Sequence, residues 1–344
     1  HVDPKSSAAA SIAKAADDPD AVYGVGDEAR WRITVPVPAE LKLVVADGSV
    51  RYGRDLQVRD FLDARLDDVP GAQVSLVDAT GQPSATALVP GADYEETYDE
   101  QGRTVSWAFT DEALRRIADV GAANLVITVA TRVNEAAYDG PGAIFNNAAV
   151  SFTAASGAPI GAEVMPGGVP DPANPAHPRI RTGGVLIDKH LEETGEKLPG
   201  AAFKVARSRA DALAGRFIAR TVDGAQHDVE LVTDADGAAA LGGLSAGTYW
   251  LMETQAPSCA DAEGRQRACV RLAEPAAVDI PADPKAAEVR VTVANRLETP
   301  LDRAGSAVGG ALAKTGDAGW LVAAALAAVV LAGTGMARRL QRRG

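Results

Sequence analysis

Residues 247–257 read Gly-Thr-Tyr-Trp-Leu-Met-Glu-Thr-Gln-Ala-Pro, and this stretch decides the fold of the C-terminal half of the chain. The pattern predicts a β-strand that ends before a proline. Because side chains along a strand alternate between two faces, Tyr249, Leu251 and Glu253 lie on the same face. A carboxylic acid therefore ends an apolar row that points into the core.

Two other predicted strands have an apolar row that ends in a polar residue. The rows are Val185, Ile187 and Lys189 in the first strand, and Val289, Val291, Val293 and Asn295 in the last. Buried Lys, Glu and Asn side chains are costly unless they satisfy one another. One solution is a buried ion pair beside an amide.

The other solution is covalent chemistry among the same three residue types. Apolar surroundings lower the pKa of a lysine, which makes its neutral amine a nucleophile, and they raise the pKa of a carboxylic acid. A protonated acid can donate a hydrogen bond to the Asn carbonyl and polarise it for attack. The products would be a Lys-Asn amide and one ammonia.

The order of motifs in this half resembles that of a Cna B-type domain of Gram-positive pilins. The matching stretches are residues 184–189, 198–203, 233–237, 247–257 and 293–295. Residues 247–257 look like the E-box of that family. The resemblance implies an isopeptide bond between Lys189 and Asn295, with Glu253 as its catalyst, and the ion pair is the alternative.

The N-terminal half is also predicted to be a sandwich of antiparallel strands. Its inward rows again end in polar residues: Leu56, Val58 and Asp60; Asn146, Ala148, Val150 and Phe152; and Ile12 with Lys14. Thr110 is the predicted N-cap of a short helix over residues 111–119.

This half resembles the preceding domain of pilins more loosely, through residues 25–27, 58–60 and 146–148. The resemblance implies a second isopeptide bond, from Lys14 to Asn146, with Asp60 as catalyst. Asn147 is a rival acceptor for Lys14.

The C-terminus has three successive parts. Leu312, Ala313, Lys314, Thr315 and Gly316 precede an uncharged run over 318–337, which is long enough to cross a bilayer, and four arginines follow it. This order resembles a cell-wall sorting signal, although the family usually has Pro where Ala313 stands. The resemblance implies cleavage by a sortase between Thr315 and Gly316. A plain membrane anchor is the alternative.

Near the other end, Val2-Asp3-Pro4-Lys5 resembles the pilin motif of pilus shaft proteins, which usually has Tyr where Asp3 stands. The resemblance implies that the Lys5 amine accepts the Thr carbonyl of the next subunit. A solvated lysine in a flexible leader is the alternative. Because the sequence begins without Met or a signal peptide, further sequence upstream is expected.

These signals predict an all-β chain of tandem Ig-like (Cna-type) β-sandwich domains followed by a C-terminal transmembrane helix. The expected parts are a pilin domain with its leader (1–158), a Pro/Gly linker (159–183), a Cna B-type domain (184–298), a tether with the sorting motif (299–317), and the transmembrane helix with its basic tail (318–344).

Composition agrees with an exported protein. The chain has 344 residues and a net charge of -12, which disfavours a nucleic-acid partner. In an oxidising compartment, Cys259 and Cys269 are expected to form a disulfide, with two free thiols as the alternative.

Two enzyme-like motifs are weak. Residues 243–247 fit a nucleophile elbow, but all four histidines precede Ser245, and that fold places its catalytic His after the Ser. Asp234 and Asp236 hint at a calcium loop without its distant Glu, so a hairpin turn is expected there. We therefore expect no cofactor, no metal and no enzyme activity beyond single-turnover isopeptide formation.

The sequence predicts a subunit of a covalently polymerised pilus that serves adhesion. Its expected partners are a sortase, neighbouring pilin subunits, peptidoglycan, and a possible tip adhesin and host-surface ligand. Its expected location is the cell wall or pilus, with a precursor held transiently in the plasma membrane. The alternatives are a monomeric wall-anchored adhesin and a minor or basal pilin.

Overall fold

The computed structural model describes residues 10–261, 264–270 and 274–299. Within these ranges, no helix is both long enough and apolar enough to cross a membrane. Lys5, the sorting motif at 312–316 and the predicted transmembrane helix lie outside the described residues.

The first domain is built from thirteen strands and one short α-helix. The strands are β1 (Ala13–Ala16), β2 (Val22–Tyr23), β3 (Glu28–Pro36), β4 (Lys42–Val44), β5 (Val50–Tyr52), β6 (Arg54–Phe61), β7 (Leu66–Val77), β8 (Tyr94–Asp99), β9 (Thr104–Phe109), β10 (Asn124–Val133), β11 (Gly142–Phe145), β12 (Asn147–Thr153) and β13 (Pro159–Glu163). Helix α1 (Asp111–Asp119) begins after Thr110, whose side chain accepts a hydrogen bond from the Ala113 N–H, so the predicted cap is observed. Three 3-10 turns, at Ala39–Leu41, Glu135–Asp139 and Pro166–Gly168, complete the secondary structure between residues 10 and 178.

Two sheets face each other in this domain. One has the order β1-β3-β10-β7 and the other β13-β12-β6-β9-β8. Their inner faces meet in an apolar core that contains Trp31 and Trp107, both 0% exposed. Each indole N–H has a partner, since Trp31 donates to the Thr131 hydroxyl at 2.9 Å and Trp107 to the Glu96 carboxylate at 3.1 Å. Paired indoles can be buried in this way without the cost of an unsatisfied polar group.

The second domain contains eleven strands and a one-turn helix. The strands are β14 (Arg179–Leu191), β15 (Ala202–Ala206), β16 (Ala219–Val222), β17 (Ala225–Asp228), β18 (Leu231–Val232), β19 (Ala238–Leu244), β20 (Gly247–Gln255), β21 (Ser258–Ala260), β22 (Gln266–Val270), β23 (Ala276–Ile280) and β24 (Glu288–Leu297). The short helix α2 spans Arg209–Leu213. One sheet has the order β18-β15-β20-β23, and in the other β14 lies between β24 and β19. The core between them includes Phe203 and Leu251. All-β sandwiches are therefore confirmed for the described residues.

Strand β14 belongs to both domains. Its first residues pair with β11 and β2 of the first domain, and from Gly183 onward it pairs with β19 and β24 of the second. The residues expected to form a linker, 159–183, thus begin with a strand of the first domain and end inside β14. The prolines and glycines of this segment favour a loop, but both of its ends form β-strands because they pair with other strands.

The two domains are also in close contact at two glycines, Gly140 and Gly242, which have no side chain to keep their backbones apart. A Cβ added to Gly242 would lie 2.0 Å from the Gly140 carbonyl oxygen, so only glycine fits this approach. Beside it, Arg220 of β16 forms an ion pair with Asp139 at 2.8 Å. These contacts hold the second domain against the end of the first.

The turn that contains Asp234 and Asp236 does not close the expected hairpin between β18 and β19. The turn at 234–237 is present, because the Gly237 N–H donates to the Asp234 carbonyl at 3.0 Å. However, β18 pairs with β15, whereas β19 pairs with β14 in the opposite sheet. The turn therefore carries the chain from one sheet to the other, which is a connection that local sequence does not distinguish from a hairpin.

Candidate functional site

The first cluster consists of Lys14, Asp60 and Asn146 at the centre of the first domain. Lys14 comes from β1 in one sheet, whereas Asp60 comes from β6 and Asn146 immediately precedes β12 in the facing sheet. The three residues are 5%, 1% and 0% exposed, which is rare for such side chains. The cluster therefore joins the two sheets across the core.

A short ion pair organises the first cluster. Lys14 Nζ lies 2.5 Å from Asp60 Oδ1, and the same ammonium lies 5.1 Å from the centre of the Trp31 ring. Burial lowers the pKa of Lys14 to about 8, although the charge of Asp60 opposes that shift. Burial also raises the pKa of Asp60, against the charge and the hydrogen bond of Lys14. Both shifts favour the neutral amine and the protonated acid that nucleophilic attack on an amide requires.

The side-chain amide of Asn146 is unpaired in the described residues. Neither its oxygen nor its nitrogen has a hydrogen-bond partner in the described part of the chain, although the residue is fully buried. An unsatisfied buried polar group costs roughly 1–3 kcal/mol. Such a cost at a side chain next to Asp60 is typical of a functional site rather than of a stabilising one.

Asn147, the rival acceptor, is fully engaged elsewhere. Its amide nitrogen donates to Glu163 at 2.6 Å and to the Met165 carbonyl at 3.2 Å, while its oxygen accepts the Met165 N–H at 2.8 Å. These bonds tie the start of β12 to the segment after β13. Asn147 therefore has a structural role, and the geometry favours Asn146 as the partner of Asp60.

The second cluster consists of Lys189, Glu253 and Asn295, which are 0%, 0% and 1% exposed. Lys189 lies on β14 and Asn295 on β24, which are adjacent parallel strands with Leu191 opposite Asn295. Glu253 reaches them from β20 in the facing sheet. The first and last strands of this domain thus place their polar residues beside one acid.

In the second cluster, the lysine amine and the asparagine amide both lie within contact distance of the Glu253 carboxyl group. Lys189 Nζ lies 3.5 Å from Glu253 Oε1, and the Asn295 amide nitrogen donates to Glu253 Oε2 at 3.2 Å. Lys189 Nζ makes no hydrogen bond in the described residues, and its nearest aromatic ring, Phe203, is centred 5.7 Å away. Burial lowers the pKa of Lys189 to about 8, against the pull of Glu253. One carboxyl group therefore contacts both the amine and the amide. It contacts the amide at its nitrogen, so the predicted hydrogen bond from the acid to the Asn carbonyl oxygen is not observed.

A further contact at Asn295 has no sequence signature. Its amide nitrogen also donates to the backbone carbonyl of Val270, at 2.5 Å. Val270 ends β22, which is joined to β21 by the Cys259–Cys269 disulfide, with Cα atoms 5.7 Å apart. Every residue type carries the same backbone carbonyl, so only the fold reveals this partner.

The two enzyme-like motifs have structural roles. Ser245 lies in the turn between β19 and β20, where its hydroxyl contacts the Tyr249 hydroxyl at 3.2 Å. In the turn at 234–237, the Asp234 carboxylate accepts the N–H groups of Asp236 and Ala238, both at 2.9 Å. Among the described residues, no group of three His, Cys, Asp or Glu side chains could hold a metal.

The fold and these clusters define an all-β protein of tandem Ig-like, prealbumin-like sandwiches. Residues 183–264, within the second domain, match the family model described as SpaA, prealbumin-like fold domain. A comparison with curated proteins gives no match.

Several solved structures share the general architecture. The group B streptococcus pilus 2b backbone protein is 19% identical, over 84% of this chain and 99% of that chain, with a TM-score of 0.46. RrgB pilus protein from Streptococcus pneumoniae is 16% identical, over 85% and 73%, with a TM-score of 0.47. BcpA, the major pilin subunit of Bacillus cereus, is 18% identical, over 84% and 71%, with a TM-score of 0.45.

Proposed function

We propose that this chain is a structural subunit of a covalently polymerised pilus and that each of its domains contains an autocatalytic isopeptide bond. The supporting observation is that both domains bury a lysine, an acid and an asparagine in contact with one another. In both, the lysine lies on the first strand of the sandwich and the asparagine at its last long strand. A single cluster of this kind could be a buried ion pair, but the repeat in two domains of different sheet pairing favours a shared chemistry.

In the proposed reaction, the neutral Lys189 amine attacks the side-chain carbonyl carbon of Asn295. Glu253, which contacts both groups, relays a proton from the amine to the leaving nitrogen. The new bond joins Lys189 to Asn295, the old carbon–nitrogen bond breaks, and ammonia leaves. Lys14, Asp60 and Asn146 follow the same scheme.

Intact mass spectrometry of the folded chain tests this step. After reduction of the disulfide, which itself removes two hydrogens, we expect the wild-type mass to fall short of the sequence mass by two ammonia molecules. Lys14→Met and Lys189→Met should each recover one of them, because Met matches the length of the lysine stem without its amine. Lys285→Met, at an exposed lysine, is the matched control and should keep both losses. A full sequence mass in the wild-type chain would disprove both bonds.

The polymer is proposed from the terminal motifs. A sortase would cleave between Thr315 and Gly316 and join Thr315 to Lys5 of the next subunit, which would place the protein outside the cell, on a pilus attached to peptidoglycan. The match of residues 183–264 to a SpaA prealbumin-like domain agrees with this proposal.

Denaturing gels of cell-wall extracts test the polymer. A high-mass ladder that collapses to monomer in Lys5→Ala would support a shaft subunit linked through Lys5. A single wall-linked band in both strains would instead indicate a monomeric adhesin, or a minor or basal pilin. A ladder in both would keep the pilus and move the acceptor to another lysine.

A further inference from the structure

The disulfide hairpin of the second domain packs directly beside the second cluster. Cys259 is 1% exposed and lies in a small apolar cluster with Leu191 and Leu198, two residues near Lys189 in the fold. Cys269 pairs with Leu297 of β24, and Val270 pairs with the residue that follows Asn295. The disulfide thus fixes the strand end that contacts the reacting asparagine.

The contact between Val270 and Asn295 determines which end of the amide is nitrogen. A backbone carbonyl can only accept a hydrogen bond, so the Asn295 atom that lies 2.5 Å from it must be the NH2 group. The same nitrogen lies 3.2 Å from Glu253 Oε2, whereas the amide oxygen has no hydrogen-bond partner in the described residues. The leaving nitrogen is therefore presented to the acid that must protonate it.

We propose that the Cys259–Cys269 disulfide is a positioning element for the second isopeptide bond, so that this bond forms efficiently only after the cysteines are oxidised. This inference rests on the proposed crosslink between Lys189 and Asn295. Oxidation of the two thiols passes two electrons and two protons to an external disulfide oxidant, which is reduced to two thiols. It holds β22 in place, and the Val270 carbonyl then keeps the Asn295 nitrogen turned toward Glu253.

Without the disulfide, β22 is held to the domain by its short pairings with β21 and β24. If the Val270 carbonyl moves away, the Asn295 amide can rotate, and its nitrogen is no longer held beside the Glu253 carboxyl group that relays a proton to it. Small misplacements of reacting groups cost large factors in rate. The first domain has no cysteine, because the sequence contains only two, so its own crosslink does not depend on this element.

The test is a time course of crosslink formation in the full chain. Wild type and the double variant Cys259→Ala with Cys269→Ala are synthesised in a cell-free oxidising mixture, quenched at intervals, and digested. Mass spectrometry then follows the two crosslinked peptides separately. We expect the bond between Lys189 and Asn295 to form at least about 10-fold more slowly in the variant. The bond of the first domain, measured in the same molecules, should form at an unchanged rate.

A second readout separates positioning from general support of the fold. In a Lys189→Met background, which cannot crosslink this domain, NMR measures hydrogen exchange of the Asn295 side-chain NH2. The proton held by Val270 should exchange at least about 10-fold faster when the cysteines are replaced. Unchanged exchange would overturn the proposal.

The remaining outcomes are also decisive. Equal crosslinking rates with and without the cysteines would overturn the inference and leave the proposed crosslink intact. Absence of the bond in oxidised wild type would instead remove the crosslink itself. If the alanine pair makes the second domain sensitive to protease, Cys259→Val with Cys269→Ala restores apolar volume. Protease sensitivity in that variant too would show that the disulfide acts on folding of the whole domain, which overturns the positioning role.

Discussion

Replacing Lys189 by Met should change how the second domain responds to tension. With the proposed bond intact, a pulling force that enters at β14 and leaves at β24 passes through a covalent bridge, so the residues between them cannot be extended. Without the bond, the same force shears two parallel strands that are held only by hydrogen bonds. The domain should then unfold and release its enclosed chain.

The size of this release follows from the positions of the bridged residues. Roughly 105 residues separate Lys189 from Asn295, and an extended chain spans about 3.4 Å per residue, which gives about 360 Å. The folded separation to subtract is small, because the two residues lie on neighbouring strands about 5 Å apart. The Cys259–Cys269 disulfide closes 10 of these residue steps, which removes about 30 Å, so we expect a new unfolding step of about 325 Å.

Single-molecule force spectroscopy of the full chain measures this step directly. Lys14→Met should add a longer step, of about 440 Å, because the first domain encloses a longer loop. Lys285→Met is the control and should extend no further than the wild type. Steps of about 325 Å in the wild-type chain would refute the covalent bridge in the second domain. If Lys189→Met adds no unfolding step, the force does not pass from β14 to β24 through the proposed bond.

Three further predictions test individual contacts. Asn146→Ala should abolish the ammonia loss of the first domain, which intact mass measures. Asn147→Ala should keep that loss and lower the free energy of unfolding by about 1–3 kcal/mol, because the Asn147 side-chain amide is hydrogen-bonded. Urea denaturation measures this second effect. In Asn295→Ala, the free energy of unfolding should rise between pH 8 and pH 10.5. Burial lowers the pKa of Lys189 from 10.5 to about 8 in the folded chain, so the unfolded chain binds more protons than the folded chain across this pH range. A flat urea-denaturation profile there would contradict it. Gly242→Ala should lower stability by about 1–3 kcal/mol, because its Cβ would meet a backbone oxygen 2.0 Å away, and an unchanged Tm would rule out this tight contact.

The positions of the cluster residues could be predicted because strands impose a period of two. Once Tyr249 and Leu251 are assigned to the core, Glu253 must follow them, and all three are buried. The same rule placed Asp60 behind Leu56 and Val58. Local capping chemistry was equally informative, since Thr110 marked the start of α1.

Pairings between distant strands could not be predicted in this way. The turn at 234–237 has the residues of a hairpin, yet its flanking strands join opposite sheets, because their partners β15 and β14 are distant in sequence. The choice between Asn146 and Asn147 was also beyond the sequence. The two residues are adjacent in the sequence and carry the same side-chain amide. Only the positions of Glu163 and Met165 in the fold show that the Asn147 amide is hydrogen-bonded.

Strand β14 has a practical consequence for anyone who wishes to dissect the molecule. A cut at residue 183 would divide one continuous strand and separate residues 179–182, which pair with β11 and β2, from the part of β14 that pairs with β19 and β24. A cut before residue 179 would instead leave the second domain with a protruding, unpaired segment. No single excision point yields two intact halves, so the pair is the smallest unit that can be excised, shuffled or transplanted as a whole.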